Sequence, residues 1–249
     1  MTITKIDEVE NPNLPKFQKI KEKMDYFIPD IQDGISNRNG MIYLMTGSGG
    51  SGKTNLLLNL FKKKELYRNK FHNIWYICPE ASMSSIEKHP FAGLKRVYND
   101  LTVELLIKIY EELDHIKATE EDPEYSMIII DDMADRLKDP KITLMLSKMM
   151  IKARHLQCGF IITLQSYYYL PKLLRKQLTY MTLFKCKNYE EFASISKEIF
   201  SMTKEDSLKL YHYVFDAPFN HLDVDTVLNI YYKNFNQLIF NDPNEFNQI

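Results

Sequence analysis

The stretch Met41 to Thr54, MIYLMTGSGGSGKT, constrains this chain more than any other. An apolar run leads into a glycine-rich turn, and a lysine and a threonine then open an amphipathic segment, which reads as strand, tight loop and helix. Gly47, Gly52, Lys53 and Thr54 occupy the fixed places of G-x-x-x-x-G-K-[ST], with Ser48, Gly49, Gly50 and Ser51 between the two fixed glycines. Such a loop suits a polyphosphate, because backbone N–H groups wrap phosphate oxygens only where glycine lets the chain curl tightly and adopt positive φ. The helix that follows aims its positive dipole end at the phosphates, the lysine ammonium reaches the β and γ oxygens, and the threonine hydroxyl can ligate Mg²⁺. A nucleoside triphosphate with Mg²⁺ is the expected ligand.

Four of the eight glycines lie between Gly47 and Gly52, so backbone freedom is concentrated at this loop and not spread through linkers. A chain of 249 residues with 45% hydrophobic content can bury one core, and one α/β domain is expected. Within it we read an N-terminal arm over about 1–35, a nucleotide-binding core over 36–188, and a helical and β-containing extension over 189–249. The formal net charge of -1 excludes a generally basic nucleic-acid binder, so any DNA contact needs a local patch or one gathered by assembly. Cys78, Cys158 and Cys186 sit in or beside apolar runs without C-x-x-C spacing, which argues for buried thiols and against zinc or a disulfide framework. The longest apolar runs fall far short of the ~20 residues that span a bilayer, and no N-terminal apolar signal region is seen, so a soluble intracellular protein is expected.

Along the chain, HNIWYICPE (His72 to Glu80), MIIIDD (Met127 to Asp132), GFIITLQ (Gly159 to Gln165) and YMTLFKC (Tyr180 to Cys186) read as buried strands, and LKRVYN (Leu94 to Asn99) as a short edge strand. Thr102 and Asp139 cap intervening helices, the second running to about His155. Continuous apolarity in strands that alternate with helices argues for a mainly parallel sheet covered on both faces. Two helices, about Tyr189 to Phe200 and Thr203 to Tyr213, precede a β-rich tail. The basic run Phe61 to Lys70 reads as a solvated helix end. TKED (Thr203 to Asp206) formally matches a guanine-reading pattern, but it precedes a helical period and reads as a capping box.

Asp131 and Asp132 close an apolar strand downstream of the phosphate loop. The first carboxylate there can hold the Mg²⁺ shell and the second can orient or deprotonate water. Gln165, at the carboxyl end of a further strand, can sense the γ-phosphate, since ligands in parallel sheets bind beyond those ends.

The runs GMIYLMTGSGGSGKTNLL, IWYICPEASMSSIEKHPFAGLKRVYNDLT, MIIIDDM and KARHLQCGFIITLQSYYYLPKLLRKQ, in this order and spacing, resemble the genome-packaging ATPases of large double-stranded DNA viruses, the poxvirus type, and of their virophages, within the FtsK/HerA superfamily. The resemblance runs roughly from Ile28 to Asn234. It implies an α/β P-loop NTPase fold with an additional strand between the phosphate-loop strand and the Asp-Asp strand. It also implies ATP hydrolysis with Mg²⁺ in a homo-oligomeric ring, pentamer or hexamer, that threads double-stranded DNA into a preformed capsid, with a capsid or portal-vertex protein as partner. The expected location is the host cytoplasm, in the viral factory, and the virion. Carried over, Lys53 and Thr54 bind nucleotide and metal, Asp131 is the metal carboxylate, Asp132 the base and Gln165 the sensor. Many cellular relatives carry Asp-Glu at the pair, so the shorter Asp132 approaches water from a slightly different place. Ring motors complete each site with a neighbour's arginine, for which Arg154 and Arg175 are the candidates. Tyr167 to Tyr169 with Lys172, Arg175 and Lys176 could face DNA or could serve packing. Two other classes remain: a small-molecule or nucleotide kinase, though no arginine-rich lid is seen, and a nucleotide switch without turnover. No L-S-G-G-Q stretch supports a transporter-type ATPase.

Overall fold

The structure, a computed structural model, describes residues 27–84, 86, 89–91, 93–119, 124–200 and 202–240. Most of the arm expected over 1–35, and part of the acidic loop at Thr119 to Tyr125, therefore lie outside the described residues. At the centre stands β1 (Ile42–Thr46), paired in parallel with β5 (Cys158–Leu164) on one side and β6 (Tyr180–Phe184) on the other. Beyond β5 lie β4 (Ser126–Asp131), β2 (Asn73–Ile77) and the two-residue edge strand β3 (Val97–Tyr98), all parallel. Beyond β6 the direction reverses, with β7 (His221–Asp225), β8 (Ile230–Lys233) and β9 (Asn236–Gln237) added antiparallel. The nine strands thus run in the order β3-β2-β4-β5-β1-β6-β7-β8-β9.

The inner strands are buried at every position because both faces are covered. One face presents Ile42, Leu44, Ile128, Ile130, Phe160 and Ile162 to α3 (Val103–Thr119), α4 (Pro140–Ile151), α6 (Tyr189–Ile195) and α7 (Lys204–Val214). The other presents Met41, Tyr43, Met45, Met127, Ile129 and Ile161 to α1 (Lys53–Leu60) and to loop residues such as Ile35, Tyr67 and Phe91. Short helices α2 (Glu80–Ser84) and α5 (Lys172–Arg175) lie in the connections.

Local chemistry sets the helix starts as expected. Thr102 Oγ1 accepts from Leu105 N at 3.1 Å, and Asp139 accepts from Lys141 N at 2.8 Å ahead of Pro140. Thr203 Oγ1 accepts from Asp206 N at 3.2 Å, so TKED caps α7 and does not follow a buried strand. Three boundaries differ from the sequence reading. The helix α1 ends at Leu60, before the basic run, which forms turns with Lys62, Lys63 and Lys64 exposed. In the same way α4 stops at Ile151, and turns lead from there to β5. The helix expected over Tyr189 to Phe200 changes at Ser196 to a π turn, burying Phe200 against Phe192 and Tyr231. Cys78, Cys158 and Cys186 are buried free thiols. No helix among the described residues is long and apolar enough to cross a membrane.

The tail is locked into the sheet by a buried polar chain. Asp223, fully buried in β7, accepts from Thr182 Oγ1 at 2.6 Å, from Phe235 N at 3.0 Å and from His221 Nδ1 at 2.9 Å. Since the Thr182 hydroxyl gives its one proton to the carboxylate, the Tyr43 hydroxyl 2.7 Å away donates to Thr182. Burial first, and Asp223 second, push the Tyr43 phenol well above its ordinary range, keeping it a donor. Asp223→Ala should leave these donors unpaired and cost ~3 kcal/mol, read as a lower urea midpoint at unchanged slope.

Candidate functional site

The carboxyl ends of β1, β4 and β5 meet at one edge of the sheet, and the phosphate loop rises from the first of them. Gly50 and Gly52 take φ of 75° and 102°, conformations that side chains resist, and Gly52 leads directly into α1. A Cβ on Gly49 or Gly50 would meet nothing within 4 Å, so this stretch of the loop faces open space. Lys53 is 8% exposed, and its ammonium folds back to donate to Gly47 O at 2.7 Å and Ser48 O at 3.0 Å. Burial lowers its pKa, while the charges of Asp132 and Asp131 raise it and only partly compensate. Among the described residues Lys53 forms no ion pair. A desolvated cation with one N–H to spare, beside a Ser51 hydroxyl that is buried without a partner, suits a phosphate group.

Opposite this cation stand the carboxylates. Asp131, 2% exposed, accepts from Tyr76 OH at 2.8 Å on one oxygen and from the Thr163 hydroxyl on the other. The Tyr76 phenol is raised by burial and then by Asp131, so it serves as a donor. Asp132 has φ of 55°, an uncommon conformation outside glycine, and its N–H lies 3.2 Å from both the carbonyl and the hydroxyl oxygens of Thr163. One threonine therefore orients both aspartates: its hydroxyl donates to Asp131 and accepts from Asp132. Gln165 Nε2 donates to the two Asp132 oxygens at 3.3 and 3.2 Å.

An open cleft of about 770 Å³ runs past Asp132 and Gln165, lined also by Asn99, Asp100, Arg136 and Tyr169. On the other flank of the loop a cavity of about 530 Å³ is lined by Gly52, Lys53, Thr54, Phe184, Phe219 and His221. No group of three or more His, Cys, Asp or Glu side chains among the described residues could hold a metal by itself. The donors that fit Mg²⁺ are the Thr54 hydroxyl and an Asp131 oxygen, with the remaining positions left to phosphate and water.

The fold thus gathers Lys53, Thr54, Asp131, Asp132 and Gln165 at one edge. Arg154 and Arg175 lie elsewhere. Arg175 is 7% exposed, donates to Leu170 O, Tyr168 O and Glu198, and stacks on Tyr167 at 4.3 Å. Its guanidinium is occupied inside its own subunit. Arg154 is exposed and lines a cleft with Gly40 and Thr179, at the amino ends of the strands. The stretch Tyr167 to Lys176 splits as well: Tyr167 and Arg175 turn inward, while Tyr168, Tyr169, Lys172, Leu173 and Lys176 are exposed. Sequence reasoning passed over Thr163 and Tyr76. Their signal was a hydroxyl inside an otherwise apolar buried strand, at Thr163 directly opposite Asp131 in register.

A central parallel sheet, a phosphate loop after β1 and a paired-carboxylate strand separated from it by one further strand define a P-loop NTPase of the additional-strand type. Residues 36–224 match the model of the family described as Poxvirus A32 protein, and the chain belongs to that family. Solved structures with the same fold include the genome packaging NTPase B204 from Sulfolobus turreted icosahedral virus 2 in complex with AMPPCP. It shares 19% identity over 79% of this chain and 97% of that one, with a TM-score of 0.55. The DNA-packaging ATPase B204 from Sulfolobus turreted icosahedral virus is 19% identical over 78% of this chain and 96% of that one, with a TM-score of 0.58. EssC (ATPases 2 and 3) from Geobacillus thermodenitrificans is 17% identical over 75% of this chain and 38% of that one, with a TM-score of 0.53. No curated protein matches the chain. The family and the fold expected from the motifs are both borne out.

Thr163→Val keeps the shape of the side chain and removes the hydroxyl that orients Asp131. The Mg²⁺ concentration for half-maximal triphosphate hydrolysis should rise roughly 10-fold or more, with metal-free nucleotide binding unchanged.

Proposed function

We propose that this chain is the subunit of an ATP-driven motor that moves double-stranded viral DNA into a preformed capsid, working as a homo-oligomeric ring of five or six copies. The observation that carries the reading is the facing arrangement of a buried Lys53 ammonium, without an ion pair among the described residues, and two oriented carboxylates, Asp131 and Asp132, across the width of one strand. Membership of the Poxvirus A32 family supports the packaging role, as does the fold shared with genome-packaging NTPases, one of them bound to AMPPCP.

In this mechanism the loop N–H groups and Lys53 hold the β and γ phosphates, and Thr54 and Asp131 would hold Mg²⁺. Bound there, the ion would supply positive charge to the phosphates. Asp132 accepts a proton from the attacking water. Gln165 now donates to Asp132, and a γ-phosphate oxygen competes for the same amide, so occupation of the site frees the carboxylate. An arginine must come from the next subunit to meet the charge on the transferring group. We assign this to Arg154, which is exposed and sits at the opposite edge of the sheet from its own loop, about 17 Å away by the rise of a five-residue strand. Tyr168, Tyr169, Lys172 and Lys176, exposed beyond the carboxyl end of β5, provide aromatic and cationic contacts for DNA. The capsid or portal vertex would be the docking partner, in the viral factory and the virion.

Steady-state hydrolysis of ATP with Mg²⁺ should rise when long duplex DNA is added. Lys53→Ala should lose it through binding, and Asp132→Asn should bind ATP normally yet turn over at least ~100-fold more slowly. Transfer of phosphate to a small acceptor, indifferent to DNA, would instead make the protein a kinase. Arg154→Ala should bind ATP as the wild type does and fail to hydrolyse it in the assembled ring, whereas an undiminished rate removes that assignment.

A further inference from the structure

We propose that Phe219, with Phe184 and His221, forms the platform on which the base of the bound nucleotide stacks, a role that rests on the nucleoside-triphosphate reading of the loop. The argument begins with direction. A triphosphate cleaved at Asp131 and Asp132 has its γ end on the β5 and β4 side of β1. Its nucleoside therefore leaves the loop on the other side, toward β6 and β7. The 530 Å³ cavity lies there, contiguous with the loop through Gly50, Gly52, Lys53 and Thr54, and its size suits a nucleoside.

One of its walls is aromatic. Phe184 ends β6, and its ring lies 5.3 Å from that of His221, which in turn packs 4.9 Å from Phe235. A Cβ built on Gly52 would stand 3.4 Å from Phe219 Cδ1 and 3.5 Å from Phe184 Cε1, so the two phenyl rings press directly on the phosphate loop. Aromatic faces receive any base without needing a hydrogen-bond match, and they bury its apolar faces.

Phe219 itself is anomalous in two ways. It is 68% exposed, and it holds φ of 64°, which a bulky side chain resists. With so much of the ring exposed, burial does not account for that φ. The turn around it is tied down instead: Asp216 accepts from Asn220 Nδ2 at 2.6 Å and from Lys233 Nζ at 2.8 Å. Asn234 donates to Asn220 Oδ1 at 2.8 Å and accepts from His221 N at 2.9 Å. A backbone outlier imposed by so many bonds, with an unburied ring at its tip, is the mark of a residue held in place for something outside the chain. His221 is fixed by Asp223 through Nδ1, so the wall is rigid before any ligand arrives.

The test compares two ligands of one loop. Equilibrium binding of ATP and of inorganic tripolyphosphate is measured for the wild type, Lys53→Ala, Phe219→Ala and Phe219→Tyr. Loss of the platform should weaken ATP roughly 5- to 50-fold in Phe219→Ala, leave tripolyphosphate within twofold, and be rescued in Phe219→Tyr, while Lys53→Ala weakens both ligands. Because Phe219 is exposed, its truncation leaves the core intact. ATP bound equally well by Phe219→Ala, or both ligands weakened in parallel, overturns the platform and leaves the nucleotide reading standing. A wild type that binds neither ligand overturns the nucleotide reading itself, and the platform with it.

Discussion

The arrangement depends on a positive charge that the fold buries without an ion pair among the described residues. Lys53 donates to two backbone carbonyls, and β5 lies between β1, which leads to it, and β4, which carries Asp131. At about 4.8 Å per strand, that intervening strand sets β4, which carries Asp131, roughly 10 Å from β1, which leads into the phosphate loop. On an adjacent strand, Asp131 would approach the ammonium and form a salt bridge, and the pair would close the space that phosphate and metal need. With β5 in place, the cation and the acids face each other across a gap that an anion and a divalent cation can complete in alternation.

Holding acids at such a place needs donors of their own. Thr163 and Tyr76 provide them from the strands on either side of β4, so Asp131 is oriented from both flanks while its neighbour is turned outward by a positive φ. The backbone change between Asp131 and Asp132 gives two adjacent carboxylates separate surroundings, one buried and rigid, the other half-exposed and engaged by Gln165. That division suits the two duties proposed for them, metal ligand and base.

The C-terminal strands complete this edge. Their antiparallel pairing carries β7 alongside β6, and the chain from Tyr43 through Thr182 to Asp223 and His221 ties three strands together by side chains. Because the turn before β7 arrives at the level of the phosphate loop, Phe219, distant in sequence, stands against Gly52, and His221 lines the same cavity as Thr54. A tail that reads as an extension of the core thus builds one wall of its cavity.

Much of the site was legible in the sequence because it is local. Phosphate-loop spacing, helix caps and a short apolar strand ending in two aspartates are statements about neighbouring residues, and steric and hydrogen-bonding rules act at that range. Gln165 was legible for the same reason, since it closes an apolar strand. What the sequence could not decide was which side chains face one another across strands. The order of the sheet put β5 in the middle, its register set Thr163 opposite Asp131, and the turn into helix α5 folded Arg175 inward, onto Tyr167 and Glu198, leaving Lys172 outside. Such pairings join residues dozens of positions apart. Only the burial of both sheet faces, a property of the whole packed chain, selects among them.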